Sequence, residues 1–319
     1  MIKKIQQKLQ SKKIWVTGHN GMVGSAIIRR LAKENCETLT VGRNSLDLRR
    51  QDEVERWIKN NTPDIIICAA AKVGGIHANA AMPAEFLYDN LMVEANIIHA
   101  AHHIGVDKLI LLGSSCIYPR DASQPISEDQ LLKGPLEKTN EWYAIAKIAG
   151  IKLCQAYRQQ YNSDFISIMP TNLYGPGDNF DPKFSHVPAA LLNRFHEAKV
   201  HKKKSVKVWG TGTAMREFLH VDDLADACLF LLQNYSESDP INVGTGIDIS
   251  IADFSIMISK VVDYNGAIQF DTSKPDGTPK KLLDTTKLKN LGWAPQIPLE
   301  EGLSRYYKWY LDNSNHVRR

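Results

Sequence analysis

The first half of the chain alternates short β-rich runs with longer segments of helical periodicity. The predicted strands are Lys13–Thr17, Thr38–Val41, Asp64–Ala70, Lys108–Gly113 and Asp164–Pro170. The predicted helices between them are Met22–Glu34, about 50–60, Glu85–His103 and Asn140–Tyr161. Strands joined by helical crossovers pair in parallel, so this order predicts an α/β fold with a Rossmann-type doubly wound parallel sheet.

The pattern changes after Pro170. Asn172–Ser185 is rich in Gly, Pro, Asn and Asp and is therefore predicted to be irregular and exposed. The elements predicted beyond it are helices at about 187–199, Val221–Gln233, 250–263, 284–291 and 299–311, and strands at 206–209 and Ile241–Val243. We expect a dinucleotide-binding domain of residues 1–174 plus about 217–247. A smaller, mainly C-terminal substrate-binding lobe is expected at about 175–216 plus 248–319.

Composition narrows the classes of partner. The net charge of +4 is mild, and the only dense basic run is Lys202–Lys204, which is more typical of a solvated loop than of a phosphate track. No nucleic-acid partner is expected. The apolar runs are too short to cross a bilayer, so no membrane partner is expected either. Met1–Lys13 lacks the apolar segment of a secretory signal and is predicted to be a frayed basic tail.

The cysteines also exclude some chemistries. Five cysteines are scattered without a CxxC pair or the His/Cys spacing of a metal site. This pattern argues against a disulfide framework and predicts no metal site. It is typical of a protein in a reducing cytoplasm, which is the location we expect.

A glycine-rich loop follows the first predicted strand and opens the first helix. It consists of Gly18, His19, Asn20, Gly21, Met22, Val23 and Gly24. Glycines at such a turn let the backbone approach a pyrophosphate, whose charge the helix N-terminus stabilises. The spacing is GxxGxxG, a variant of the GxGxxG pattern, and predicts a dinucleotide cofactor bound at residues 18–24.

The end of the second predicted strand bears on which dinucleotide is used. NAD enzymes usually place a carboxylate there to hold the ribose 2′-hydroxyl. This chain has Arg43 and no carboxylate. An arginine attracts a 2′-phosphate, so the position favours NADP(H), although a surface arginine in a turn is the simpler alternative.

Tyr143 and Lys147 lie four residues apart on a predicted helix and so share one face. A lysine ammonium beside a phenol favours the phenolate and lowers the tyrosine pKa. The pair is therefore predicted to exchange a proton with a substrate oxygen.

A short polar segment ends the fourth predicted strand, where ligands bind in open parallel sheets. Ser114 can hydrogen-bond a substrate carbonyl there, although the serines at 114 and 115 can also simply turn the chain. Cys116 follows them. A lone cysteine is most often a small core residue, but at this position its thiol can ionise and act as a base.

The chain from about Lys13 onward resembles the extended short-chain dehydrogenase/reductase family, and within it the enzymes that modify GDP-linked keto sugars. The stretches that carry the likeness include GHNGMVGSAI, AAAKVGGI, LGSSCIYP, YAIAKIAGIKLC, MPTNLYGP and WGTGTAMREFLHVDDLA. The resemblance implies conversion of GDP-4-keto-6-deoxy-D-mannose to GDP-L-fucose by epimerisation at C3 and C5 and NADPH-dependent reduction at C4. It also implies a homodimer formed through the two long helices, whose apolar faces equally suit an ordinary sheet face.

The resemblance assigns roles to individual residues. Cys116 is implied as the base and His186 as the acid of the epimerisation. Tyr143 is implied to protonate the C4 oxygen, Lys147 to tune that tyrosine and hold the nicotinamide ribose, and Ser114 to polarise the ketone. Further cofactor contacts are implied at Leu112, Gly113, Ser114, Ser115, Lys147, Pro170, Thr171, Asn172, Leu173 and His186. GDP-sugar contacts are implied at Arg194, Trp209, Arg216 and Asp276.

Purely structural roles for some of these residues, and alternative functions for the protein, remain open. Apart from the resemblance, His186 is a helix-start histidine and Trp209 is equally a core aromatic. Asn20 stands where the family often has arginine, which weakens the case for NADPH. A reductase or epimerase/reductase acting on a related GDP-keto sugar, such as a heptose, is the nearest alternative. A 4,6-dehydratase lacks support because no carboxylate follows Ser115, and a silent NADPH-binding protein has no need for Tyr143 with Lys147.

Overall fold

The computed structural model describes residues 9–274 and 276–318. Its strands are β1 (Lys13–Thr17), β2 (Glu37–Leu39), β3 (Ile65–Cys68), β4 (Lys108–Leu112), β5 (Phe165–Pro170), β6 (Asn172–Tyr174), β7 (Ser205–Trp209), β8 (Met215–His220), β9 (Ile241–Val243), β10 (Asp248–Ser250), β11 (Ala267–Asp271) and β12 (Lys280–Lys281). Its helices are α1 (Met22–Leu31), α2 (Gln51–Asn61), α3 (Ile76–Ala81), α4 (Pro83–Ile104), α5 (Glu141–Tyr161), α6 (Val187–Val200), α7 (Val221–Asn234), α8 (Ile251–Val262), α9 (Thr286–Leu291) and α10 (Leu299–Asp312).

A six-stranded parallel sheet forms the centre of the first lobe, in the order β2-β1-β3-β4-β5-β9. Strand β1 pairs with β2 on one side and with β3 on the other, so the winding reverses between β1 and β3. Ligands of doubly wound sheets bind beyond the carboxyl ends of the strands at such a reversal. The predicted fold class is confirmed.

The two faces of this sheet carry separate cores. In β1, Ile14 and Val16 point into one core and Trp15 into the other, as the two-residue period of a strand requires. Helices α1, α7 and α9 contribute buried residues to the first core, and α2, α4 and α5 to the second. The near-continuous aliphatic strands of the sequence follow from this burial on both faces.

The second lobe is built on a third core. Its buried aromatic residues come from β6, β8 and the helices α6, α8 and α10, and include Tyr174, Phe195, Phe218, Phe254 and Tyr306. The predicted boundary needs a correction in the C-terminal third. Leu283, Leu288 and Trp293 pack into the two cores of the first lobe, so this segment belongs to the dinucleotide-binding lobe.

One local prediction is wrong, and one strand was not predicted. Asn172–Ser185 is not uniformly exposed, since Tyr174, Asp178 and Phe180 are buried and the Tyr306 hydroxyl donates to Asp178. Strand β8 was missed because its charged residues are typical of a loop. Its Glu217 is nevertheless fully buried and accepts hydrogen bonds from the backbone N–H groups of Leu283 and Gly246.

The segment before β1 is more ordered than a frayed tail. Leu9 is buried, and the ammonium of Lys12 pairs with Asp64 at 3.1 Å and with Asp107 at 2.7 Å. The tail prediction for residues 1–8 lies outside the described residues. Within the described part of the chain, no helix is both long enough and apolar enough to span a membrane.

Candidate active site

The glycine-rich loop forms a cradle at the end of β1. Gly18 has a φ of +68°, a left-handed conformation that favours glycine. A Cβ atom at Gly24 would lie 2.2 Å from the Gly18 carbonyl oxygen, so only glycine allows the loop to fold this closely onto the helix. Helix α1 begins without a capping side chain and without an acidic residue in its first turn. Its free N–H groups and its dipole suit an anion such as a pyrophosphate.

Arg43 lies exposed in the turn after β2. The neighbouring carboxylate of Asp47 is held by Arg49 at 2.7 Å, and this hydrogen bonding lowers the pKa of Asp47 to about 2. Arg49 also pairs with Asp89 of α4 at 3.1 Å. The charge of Arg43 also acts on Asp47, but the side-chain hydrogen bonds of that carboxylate come from Arg49, and the exposed Arg43 guanidinium stays accessible to a ligand phosphate.

Lys147 is placed by three contacts in the core of the first lobe. Its ammonium lies 2.6 Å from a carboxylate oxygen of Glu94 and donates to the Leu112 carbonyl at 2.9 Å. It also lies 5.8 Å from the centre of the Tyr143 ring. The side chains of Lys147 and Glu94 are only 2% and 1% exposed. The predicted pairing of Tyr143 with Lys147 is thus present, at the carboxyl end of β4.

The charge of Lys147 lowers the tyrosine pKa as predicted, but burial outweighs it and the net direction is upward. Burial raises the pKa of Tyr143 to about 12, although the charge of Lys147 and a hydrogen bond with Ser114 act to lower it. The negative charges of Cys116 and Glu94 raise it further. Tyr143 is consequently a protonated phenol at neutral pH, which is the form that can donate a proton.

Glu94 was not predicted from the sequence. It lies in α4, while Lys147 lies in α5, and no spacing rule connects residues so far apart in the chain. Gly150 makes room for it, since a Cβ atom at that position would lie 2.1 Å from a Glu94 carboxylate oxygen. The one sequence signal was an acidic residue within the predicted helix Glu85–His103, whose apolar residues recur at helical spacing.

Cys116 lies in a short 3₁₀ turn at the end of β4 and is half-buried. The Ser114 hydroxyl accepts a hydrogen bond from the Cys116 backbone N–H at 3.2 Å, which fixes the turn. The Asn140 amide donates to the sulfur at 3.1 Å, and the Lys281 ammonium lies 3.6 Å from it. The structure therefore brings Cys116 together with Ser114 and Tyr143 and does not place it in the core.

A cleft beside Cys116 is walled by both lobes. Its lining residues are Ser115, Cys116, Tyr118, Pro119, Arg120, Gln124, Ile126, Glu137, Asn140, Thr278, Lys280 and Lys281. Residues 115–140 belong to the first lobe, while 278–281 approach from the second. Cys116 therefore lines a cleft to which both lobes contribute.

His186 stands at the start of α6 as its N-terminal capping residue. The segment before it is tied to the loop after β3, because the Gly75 N–H donates to the Phe184 carbonyl at 3.1 Å. His186 is exposed, although desolvation of its ring by the surrounding protein acts to lower its pKa. Among the described hydrogen bonds none joins His186 to Cys116, so its pairing with the cysteine stays a prediction.

The segment Pro170–Leu173, called here the wall, connects β5 of the first lobe to β6 of the second and is held by hydrogen bonds. The Thr171 N–H donates to the Val243 carbonyl at 3.0 Å, and the Asn172 amide donates to the Glu217 carbonyl at 2.9 Å. The Thr171 hydroxyl also donates to the Glu217 carbonyl at 3.3 Å, so both side chains are held by the chain itself. The backbone of this wall lies beyond β5, on the edge of the sheet where a dinucleotide is expected.

The four residues with implied GDP-sugar contacts form two pairs in the second lobe. The Arg194 guanidinium lies 5.7 Å from the Trp209 ring, and Trp209 is 59% exposed, so the core interpretation of this tryptophan is wrong. Arg216 donates to the Asp276 carbonyl at 3.4 Å. The Asp276 carboxylate accepts from the Thr211 N–H at 2.7 Å and so already holds a turn.

The doubly wound sheet, the glycine cradle and the Ser114–Tyr143–Lys147 group define a dinucleotide-binding α/β protein. The described residues contain no group of three or more His, Cys, Asp or Glu side chains placed to hold a metal. The sequence profile of the NAD dependent epimerase/dehydratase family matches residues 14–244. The chain belongs to that family, and the resemblance stated above is confirmed.

Individual relatives are similar over nearly their whole length. A GDP-L-fucose synthase of Sinorhizobium fredii is 56% identical over 96% of this chain and 97% of its own. A GDP-6-OMe-4-keto-L-xylo-heptose reductase from C. jejuni superposes with a TM-score of 0.90 at 36% identity, covering 97% of this chain and 99% of its own. A GDP-L-fucose synthetase from Naegleria fowleri bound to NADP superposes with a TM-score of 0.90 at 29% identity, covering 97% of both chains.

Proposed function

We propose that the protein converts GDP-4-keto-6-deoxy-D-mannose to GDP-L-fucose, by epimerising C3 and C5 and reducing C4 with NADPH. The observation that carries this proposal is Cys116, presented to the cleft beside Ser114 and Tyr143 and contacted by Asn140 and Lys281. A plain reductase needs the tyrosine group but has no use for a cysteine base. The 56% identical relative named GDP-L-fucose synthase supports the same activity.

The residues around the glycine cradle suit NADP(H). The N-terminus of α1 would hold the pyrophosphate, Arg43 the 2′-phosphate, and Lys147 the nicotinamide ribose. When bound, the cofactor supplies the hydride for C4. The wall of Pro170–Leu173 and the strand end at Leu112 and Gly113 would border the nicotinamide. The Naegleria relative bound to NADP supports this choice of cofactor.

In the reduction, Tyr143 supplies the proton. Its raised pKa keeps the phenol protonated in the resting site. As negative charge develops on the C4 oxygen, Tyr143 donates its proton and Ser114 donates a hydrogen bond to the same oxygen. The buried ammonium of Lys147 then stabilises the phenolate that is left.

In the epimerisation, the C4 ketone acidifies the hydrogens on C3 and C5. The Cys116 thiolate removes such a hydrogen, and His186 in its imidazolium form would return a proton to the opposite face of the sugar, which inverts the carbon. Arg194 and Arg216 are suited to grip the diphosphate, and the exposed ring of Trp209 offers a face for stacking. The carboxylate of Asp276 would position the sugar nucleotide through the turn that it holds.

We also propose that the active form is a cytoplasmic homodimer. Large apolar side chains are exposed on the outer faces of α4 and α5, with Tyr88 at 54%, Leu91 at 37%, Trp142 at 43% and Ile145 at 38%. Two copies of these helices would bury them as a four-helix bundle. Light scattering should give the mass of a dimer, and a Leu91→Glu, Ile145→Glu double variant should give that of a monomer. A wild-type monomer would refute the assembly.

The decisive experiment supplies GDP-4-keto-6-deoxymannose and NADPH to the purified protein in heavy water. We expect stoichiometric NADPH oxidation and a product that carries solvent deuterium at both C3 and C5. Turnover without deuterium at either carbon would reduce the protein to a 4-reductase. That second candidate is favoured by one observation, the likeness to the C. jejuni heptose reductase. A matched assay with a GDP-4-keto-heptose separates the two substrates.

A further inference from the structure

Two adjacent lysines of β12 have different partners. Strand β12 pairs in parallel with β8, which fixes both lysines to the sheet of the second lobe. The Lys280 ammonium forms an ion pair with Asp248 at 3.1 Å. The Lys281 ammonium instead lies 3.6 Å from the sulfur of Cys116, which belongs to the first lobe. Successive strand residues point to opposite sides, so the two ammonium groups face different surroundings.

We propose that Lys281 is the positioning residue that makes Cys116 a base, by holding its sulfur and stabilising the thiolate. The proposal rests on the proposed epimerisation for its role in the reaction, but the contact itself does not. A positive charge within about 4 to 6 Å favours the ionised form of an acid. The thiolate is the form of cysteine that accepts a proton.

The other charged groups around the cleft do not supply this charge. The Arg120 guanidinium lies 3.6 Å from the Glu137 carboxylate, and Lys280 pairs with Asp248. Lys147 is occupied by Glu94 on the other side of Tyr143. Among the described ion pairs none includes Lys281, so no carboxylate of residues 9–274 or 276–318 forms an ion pair with it.

The acidic phenol of Tyr143 lies near Cys116, so ionisation of the cysteine requires a compensating cation, which Lys281 supplies. An ionised Cys116 raises the pKa of Tyr143, so the thiolate and a phenolate oppose each other. The Asn140 amide donates a hydrogen bond to the sulfur but carries no charge. Each acid of the site therefore has its own lysine, Lys147 for Tyr143 and Lys281 for Cys116. Only the second of these pairs crosses between the lobes.

The test measures the ionisation of Cys116 directly. The rate of its alkylation by iodoacetamide is followed against pH by peptide mass spectrometry, without substrate or cofactor. We expect Lys281→Gln to slow alkylation about tenfold at pH 7 and to move the inflection upward by about one pH unit. Lys281→Arg should stay close to the wild type. Lys280→Gln is the matched control and should leave the profile unchanged.

The outcomes separate this proposal from the proposed function. An unchanged alkylation profile in Lys281→Gln overturns the pairing, even if the wild type exchanges deuterium at C3 and C5. A shifted profile supports the pairing, even if the wild type shows no exchange and the proposed epimerisation fails. Alkylation of the half-buried Cys36 in the same samples reports any general change in folding. Where the wild type does exchange, Lys281→Gln should slow exchange more than hydride transfer.

Discussion

The two halves of the candidate active site are built in different ways. In the half proposed for the reduction, called here the reduction side, Tyr143, Lys147 and Glu94 come from two helices of one lobe, and the lysine and glutamate are almost fully buried. In the half proposed for the epimerisation, the epimerisation side, Cys116, Lys281 and His186 come from three separate segments and two lobes, and the cysteine is only half-buried. The first group is assembled within the core of one lobe. The second group is assembled only where the two lobes meet.

This difference predicts which variants disturb folding as well as chemistry. Removing one partner of a buried ion pair leaves an uncompensated charge in the core, so the reduction side should lose stability and activity together. The groups of the epimerisation side are accessible to water, which solvates whatever charge remains. Variants there should lose activity with little loss of stability.

The largest expected effect on turnover is that of Cys116→Ser. Because a serine hydroxyl is a much weaker acid than a thiol, deuterium exchange at C3 and C5 should fall by about 10³. The melting temperature should stay close to that of the wild type, since the site is half-exposed. Cys36→Ser, at a half-buried cysteine outside the cleft, is the control. Undiminished exchange in Cys116→Ser would remove the cysteine from the base role.

Glu94→Gln tests the buried pair and should have the next largest effect. We expect hydride transfer to fall by about 10- to 100-fold, because Lys147 loses the partner that fixes it beside Tyr143. The free energy of unfolding should fall by about 3 kcal/mol. Chemical denaturation and single-turnover NADPH oxidation measure the two effects.

Gly150→Ala is a second variant at the same pair, since its methyl group would displace the Glu94 carboxylate without removing its charge. It should shift the two measurements in the same directions as Glu94→Gln, by smaller amounts. Full activity in both variants would show that Lys147 needs no carboxylate.

Arg43→Ala should change the choice of cofactor rather than the chemistry. Loss of a charge-assisted contact to the 2′-phosphate is expected to reduce the ratio of kcat/KM for NADPH over NADH by about tenfold. Arg50→Ala, at another exposed arginine nearby, should leave the ratio unchanged. An equal ratio in the wild type and in Arg43→Ala would refute the phosphate contact.

The smallest effect is expected at Asp178, which anchors the segment that leads to His186. The change there should be in stability and not in turnover. Burial raises the pKa of Asp178 from 3.8 to about 6. The folded state thus binds this proton more tightly than the unfolded state, so the contribution to stability is present at low pH and is lost as the pH rises through 6. Over pH 5 to 8, Asp178→Asn should gain about 1 kcal/mol of stability relative to the wild type. A pH-independent difference would exclude this titration.

Local patterns were sufficient to predict the fold class and the main strands of the first lobe. The bounds of β1 and β9 coincide with the predicted strands, because aliphatic runs between turn residues define buried strands without reference to the rest of the chain. The glycine cradle and the Tyr143–Lys147 pair were likewise found from spacing within one segment. Charged residues that are buried could not be found from local spacing. Glu217 is such a residue, and strand β8, which contains it, was not predicted.

Contacts between distant segments were beyond any local pattern. Lys281 and Cys116 are separated by 165 residues, and no pattern in either segment predicts a contact with the other. The ion pair of Glu94 with Lys147 and the placement of residues 283–293 on the first lobe also depend on how whole elements pack. The sequence predicted candidate reacting groups, and the structure shows which side chains contact them.

The most direct test of a candidate active site with two separable sides is Tyr143→Phe in heavy water with the keto sugar and NADPH. The account predicts that deuterium still enters C3 and C5 while NADPH oxidation falls by about 10³. If exchange and hydride transfer are instead lost together, with cofactor and substrate still bound, the two sides do not act independently and the account is contradicted.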